Sequence, residues 1–194
     1  MAHKATFEVK FRRRKEGRTD YKKRLELLKS RKPRLVIRRS NNNYSVQLIR
    51  YEKNGDKTIE SASSKELRKY GWKLHGGNIQ SAYLTGLLIG VKARNKVKEA
   101  ILDIGMVTPV HGSGVFAALK GAIDSGMHVP HEAKALPSEN RIKGEDKQKY
   151  FTSLKEEEFK EKFSSYVKEK IDPKKIVEYF EEAKNKIMKS GEKK

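Results

Sequence analysis

The sequence predicts an α/β fold: a small mixed sheet with an antiparallel three-stranded meander and helices packed on it, preceded by a basic arm and followed by a charged helical hairpin. Three observations lead there. Short apolar, β-branched runs separated by turn residues fill residues 34–62. Two apolar segments with helical spacing follow at 79–97 and 114–124, and positive charge crowds the first forty residues.

Thr19 and Asp20 open a short helix that places Tyr21, Leu25 and Leu28 on one face at i, i+4 and i+7. Pro33 then punctuates the chain. Residues 34–40 (RLVIRRS) are short and β-branched and read as a strand. Asn41, Asn42 and Asn43 make a turn, because asparagine tolerates left-handed backbone angles. A second strand returns over 44–52, Asn54-Gly55 signals a type I′ hairpin, and a third strand covers 57–62. Ser63 and Glu66 have the spacing of a capping box for a short helix ending near Gly71.

Asn78 caps a longer helix over 79–97, with Ala82, Tyr83, Leu87, Gly90 and Ala93 on its packing side. The Gly86 and Gly90 pair leaves room for a close neighbour. Residues 99–105 read as a fourth strand, and 114–124 as a helix closed by Gly126. Helices that follow strands in this way lie on one face of a mixed sheet. Pro130, Pro137 and Gly144 mark a loop over 129–145. Ser153 and Glu156 repeat the capping-box spacing before a helix with Phe159, Phe163 and Val167 along one side. Asp172-Pro173 opens a last helix carrying Ile176, Tyr179, Phe180, Ala183 and Ile187. The expected division is an arm (1–30), a core (31–127), a basic loop (128–145) and a helical extension (146–194).

Charge separates these parts. The chain has 194 residues with 45 Lys plus Arg against 25 Asp plus Glu, a net charge of +20. Residues 1–40 carry net +12, residues 41–145 carry +5, and residues 146–194 carry +3. The arm is therefore a localised positive field, and its arginines offer planar forks suited to phosphate. A polyanionic partner is expected. Several classes drop out: with no cysteine there are no disulfides, Cys-ligated metals or thiol nucleophiles. The longest apolar run, 82–91, is about half the roughly 20 residues that span a bilayer. No secretory h-region follows the N-terminus, so an intracellular chain without a membrane partner is expected.

Catalytic patterns are weak. Gly112-Ser113-Gly114-Val115-Phe116-Ala117 fits G-x-G-x-x-A, with Glu132 about twenty residues beyond Gly112, as in dinucleotide-binding turns. A tight turn needing glycines is the stronger reading, because no βαβ unit visibly follows. His128 and His131 are separated by Pro130, which forbids a helix that would align them on a metal. Asp103 reads as structural. Neither an enzyme, a metal nor a cofactor is expected. His111 and Ser113, at a helix start with free N–H groups, remain candidates for touching a phosphate.

Several segments resemble a known family. Residues 33–48 (PRLVIRRSNNNYSVQL) are similar to the signature of the universal large-subunit ribosomal protein that binds 5S rRNA, eighteenth in the bacterial series. The N-terminal FRRRKEGRTDYKKRLELLKS looks like its archaeal form, the counterpart of the eukaryotic fifth large-subunit protein. GNIQSAYLTGLLIGVKA and DIGMVTPVHGSGVFAALKGAIDSG match in the same order, and the resemblance covers nearly all of residues 7–145.

The resemblance implies a cytoplasmic, ribosome-bound protein that docks on 5S rRNA in the central protuberance. Its implied partners are 5S rRNA, large-subunit rRNA and neighbouring ribosomal proteins, including the other 5S rRNA-binding protein. Carried over, the RNA contacts are Arg12, Arg13, Arg14, Lys15, Arg18, Thr19, Tyr21, Lys22 and Arg24 in the arm. Lys32, Arg34, Arg38, Arg39, Ser40, Asn41 and Asn42 follow from the first strand and its turn. The run Asn41 to Asn43 departs from forms of the family with a basic residue there, so the contact that the resemblance implies at Asn42 would be a neutral hydrogen bond. Tyr21 or Tyr44 could offer a stacking plane, although packing is the stronger expectation for either. Two other readings stay open: a nucleic-acid-binding module of another kind, and a nucleotide-dependent enzyme built on the Gly112 turn.

Overall fold

The computed structural model describes residues 8–168, 171–172 and 175–192. A four-stranded mixed sheet of order β3-β2-β1-β4 forms its centre. Strand β1 (Arg34–Arg39) pairs antiparallel with β2 (Tyr44–Glu52), which pairs antiparallel with β3 (Gly55–Ser63). The short β4 (Ile101–Asp103) lies parallel to β1, with Val36 opposite Asp103. Leu35 and Ile37 of β1, with Tyr44, Val46 and Leu48 of β2, point to one face and are buried. This is the alternation that a half-buried strand requires. The β2–β3 ladder slips by one residue between Leu48 and Ile49, which leaves Ile59 as the extra residue of a bulge.

Helices α1 (Arg12–Lys15) and α2 (Tyr21–Lys29) precede the sheet, and a 3-10 helix (Ser64–Tyr70) follows it. The expected capping box at Ser63 and Glu66 is present, and Gly71 closes the turn with φ of 89°. The central helix α3 (Ile79–Ala93) packs on β2 and β3 on one side and on α4 (Gly114–Asp124) on another. Asn78 caps it by accepting from the Ser81 N–H at 2.7 Å. A Cβ added at Gly86 would stand 1.8 Å from the Ala118 carbonyl oxygen, and one at Gly121 would stand 2.1 Å from that of Tyr83. The two helices are close because glycine on each faces backbone on the other.

Later elements are α5 (Glu139–Lys143), α6 (Glu145–Ser153), α7 (Glu156–Lys162), α8 (Ser164–Lys168) and α9 (Ile176–Glu192). Helix α9 packs on α3, burying Ile176, Phe180, Ala183 and Ile187, with the Phe180 and Tyr83 rings 5.5 Å apart. Lys147 of α6 donates to the Gln80 side chain of α3 at 3.0 Å, a second tie between extension and core. No helix among the described residues is long and apolar enough to cross a membrane.

Several expectations need correction. Leu25 of α2 is exposed, whereas Tyr21 and Leu28 are half-buried as expected, joined by Leu27 and by Arg24, which is drawn to Asp56. The Asn41 to Asn43 turn uses no left-handed asparagine. Outside glycine, Arg31 is the one described residue with positive φ. The Ser40 hydroxyl closes the turn, accepting from the Asn43 N–H at 3.0 Å. The second hairpin is not type I′, since its register centres Lys53 and Asn54 between Glu52 and Gly55. A type I′ turn needs positive φ at both central residues, and neither Lys53 nor Asn54 has it.

Helix α3 stops at Ala93 rather than near Val97, and the chain turns through residues 94–96 so that Val97 reaches the core. The segment 129–145 is not all loop, for it holds a 3-10 turn (Ala133–Ala135) and α5. Ser153 caps nothing: it ends α6 and donates to the Tyr150 carbonyl at 2.8 Å. Val167 is exposed, and Tyr166 joins Phe151, Phe159 and Phe163 in an aromatic cluster in its place. The cap expected at Asp172-Pro173 involves Pro173, which lies outside the described residues.

Candidate nucleic-acid interface

The described part of the arm is tied to the sheet at Arg24, which pairs with Asp56. Asp20 caps α2 by accepting from the Lys22 and Lys23 N–H groups at 3.0 and 3.2 Å. This orients α2 so that Arg24 and Leu27 face β1 and β4 across a groove of about 870 Å³. Arg13, Arg18, Thr19, Tyr21 and Lys23 form one wall, and Arg34, Arg38 and Asp103 form the floor. Val107 and Pro109, from the loop after β4, complete the far side. That loop presents exposed Met106, Val107 and Val110.

Two carboxylates organise the cations. Asp56 accepts from Arg24 at 2.9 Å and from Arg34 at 2.7 Å. Asp103 accepts from Arg34 at 2.6 Å, from Arg38 at 3.0 Å and from the Gly105 N–H at 2.9 Å. Burial pushes the Asp103 carboxyl up, but the charges and hydrogen bonds of Arg38 and Arg34 outweigh it, so its pKa lies below the ordinary value. Asp56 is lowered in the same way: burial opposes the shift, and Arg24 and then Arg34 overcome it. The hydrogen bond to Asp56 in turn raises Arg24, against the opposing effect of its own burial.

The expected contact residues divide into three groups. Arg34 is 4% exposed, and its two terminal nitrogens are both engaged by carboxylates, so it faces the protein rather than solvent. Arg24 and Arg38 share those carboxylates, and Lys32 pairs with Glu99. A second group stands on the exposed side of the arm. Arg14, Lys15 and Lys22 have no ion pair among the described residues, while Arg12 and Arg18 make exposed pairs with Glu16. Arg13 donates to the Thr19 hydroxyl at 2.9 Å, and Tyr21 packs its ring 5.0 Å from that of Phe11.

The third group lies elsewhere. Arg39, Ser40, Asn41 and Asn42 are exposed around the β1–β2 turn, at the opposite end of β1 from Arg34. His111 is exposed with its ring edge-on to Phe116 at 6.3 Å, and Ser113 stands at the start of α4 without making a side-chain cap. Tyr44 is buried, with its hydroxyl where a Cβ at Gly114 would be 2.0 Å away. That contact explains Gly114, and Gly112 takes φ of 68°. β4 ends at Asp103, well before this turn, so the glycines do not follow a strand as a dinucleotide fingerprint would.

His131 Nδ1 lies 2.8 Å from the Val129 carbonyl, and the His128 backbone bridges Glu99. Sequence reasoning missed Lys23 and Asp56. Lys23 sits within the arm's basic run, whereas a lone aspartate in a hairpin gave no signal that it would anchor two arginines.

Against this geometry, the chain matches the family described as "Ribosomal large subunit proteins 60S L5, and 50S L18" over residues 5–100 and 92–132. It is also 49% identical over 191 residues to the large ribosomal subunit protein uL18 of Methanococcus maripaludis, a match that covers 97% of this chain and 99% of that protein. With an arginine-rich arm tied to a mixed sheet, and similarity running almost end to end, the chain belongs to this family of large-subunit ribosomal proteins.

Proposed function

We propose that the protein is a structural component of the large ribosomal subunit that binds 5S rRNA and helps attach it to the large-subunit rRNA in the central protuberance. The observation that carries this reading is the arm. Residues 1–40 carry net +12, and on the two short helices Arg13, Arg14, Lys15, Lys22 and Lys23 make no ion pair among the described residues. Arg12, Arg13, Arg14, Lys15, Arg18 and Lys22 neutralise phosphates, and Arg39, Ser40, Asn41 and Asn42 add contacts from the β1–β2 turn. Arg24, Arg34 and Arg38 act from beneath, holding α2 and the groove floor in place. Residues 1–30 are then the RNA-binding arm, 31–127 the core, 128–145 the connecting segment and 146–194 the extension. Contacts with neighbouring ribosomal proteins, including the other 5S rRNA-binding protein, belong to the same reading.

Filter binding of the full chain to a 5S rRNA transcript tests it. Replacing Arg13, Arg14 and Lys15 by alanine should weaken binding and lower the slope of log Kd against log salt by about three, roughly one for each phosphate that is no longer neutralised. Unchanged affinity and slope would sink the reading. Equal competition by duplex DNA would favour a general nucleic-acid-binding module instead.

A further inference from the structure

We propose that the cleft between turn 40–43, the 3-10 helix and Gly76 is a second binding site for RNA backbone, separate from the arm; this rests on the ribosomal reading above. The cleft measures about 570 Å³ and shares no lining residue with the arm's groove. Lys65, Lys73 and His75 stand exposed on it beside Asn42, and among the described residues no aspartate or glutamate lines it. Lys65 and Lys73 make no ion pair among the described residues. The His75 Nδ1 accepts the Gly77 N–H at 3.0 Å, so the neutral ring carries its proton on Nε2 as a further donor. The rim is thus rich in cations and donors, which suits phosphate oxygens.

The cleft is also held in shape. The Ser64 hydroxyl accepts from the Tyr44 N–H at 3.1 Å and donates to the Asn43 side chain at 3.2 Å, which pins the turn to the 3-10 helix. A Cβ at Gly77 would stand 2.4 Å from the Asn41 carbonyl oxygen, so glycine there lets the two segments touch. An acidic peptide is the weaker occupant. Protein interfaces centre on apolar or aromatic anchors, yet Trp72 and Leu74 are only 1% and 7% exposed, and Tyr166, the remaining ring on the cleft, is half-buried and stacked on Phe163.

The full-length chain and K65A/K73A are titrated with a 5S rRNA transcript and then, as the 5S complex, with large-subunit rRNA. Trp72 is the single tryptophan and lines the cleft, so its emission reports binding there. The expected result is a Trp72 emission change on adding one of these RNAs. In K65A/K73A its midpoint should move roughly tenfold and its salt slope fall by about one per lysine, with an unchanged melting temperature. Identical midpoints and slopes in both titrations overturn the site. Polyglutamate that competes as well as RNA overturns the RNA assignment in favour of an acidic protein. R13A/R14A/K15A, run alongside, reads the arm separately: full 5S affinity in that variant removes the arm reading, while the cleft is still decided by K65A/K73A.

Discussion

Asp103 shows how one side chain serves both stability and the shape of the interface. It holds the buried Arg34, the half-exposed Arg38 and the Gly105 N–H together. Asp103→Ala would leave Arg34 buried with Asp56 as its remaining carboxylate, a loss of about 3 kcal/mol measurable by urea denaturation. The lowered pKa values of Asp56 and Asp103 also set a pH dependence. Their stabilisation is complete above the unfolded carboxylate value of about 3.9 and is lost as pH falls through it toward the lower folded values. The melting temperature should therefore drop below about pH 4, and less steeply in Asp103→Asn. None of this was readable from the residue alone. Asp103 reads as structural in the sequence, but its partners lie 65 and 69 positions away.

At the scale of elements, local signals with short-range causes were legible. The Asp20 and Asn78 caps, the Ser63–Glu66 box and the Gly71 and Gly126 stops each need only neighbours a few residues away. Signals that depend on the facing strand were not. The β2–β3 register decided which residues centre the hairpin, and the Asn54-Gly55 pair alone could not. The Gly86 reading was legible because the absence of a side chain implies a close neighbour, and that neighbour proved to be α4. Gly86→Ala should cost about 3 kcal/mol, since the added methyl would meet helix backbone rather than a movable side chain. A wild-type melting temperature for this variant would refute the packing described.

For the whole molecule, the extension that the sequence left without a docking target packs on the core. Helix α9 covers α3, which is why α3 is apolar nearly all round rather than on one stripe. Phe180→Ala should cost about 3 to 4 kcal/mol through the cavity left against Tyr83, read from the shift in denaturation midpoint. A surface role for α9 would make that substitution almost neutral. In the arm, α2 is likewise tied to the sheet through Arg24 and Asp56.

By itself the sequence determined the fold class, the main strands and helices, the concentration of charge and the family resemblance. These follow from periodicity, caps and composition, which act over short stretches of chain. Only the tertiary structure decided which basic residues face solvent. Arg34 and Arg14 are the same residue type in the same basic region, yet one is buried between Asp56 and Asp103 and the other stands exposed. That difference is set by carboxylates brought in from distant strands, and spacing along a single chain carries no record of them.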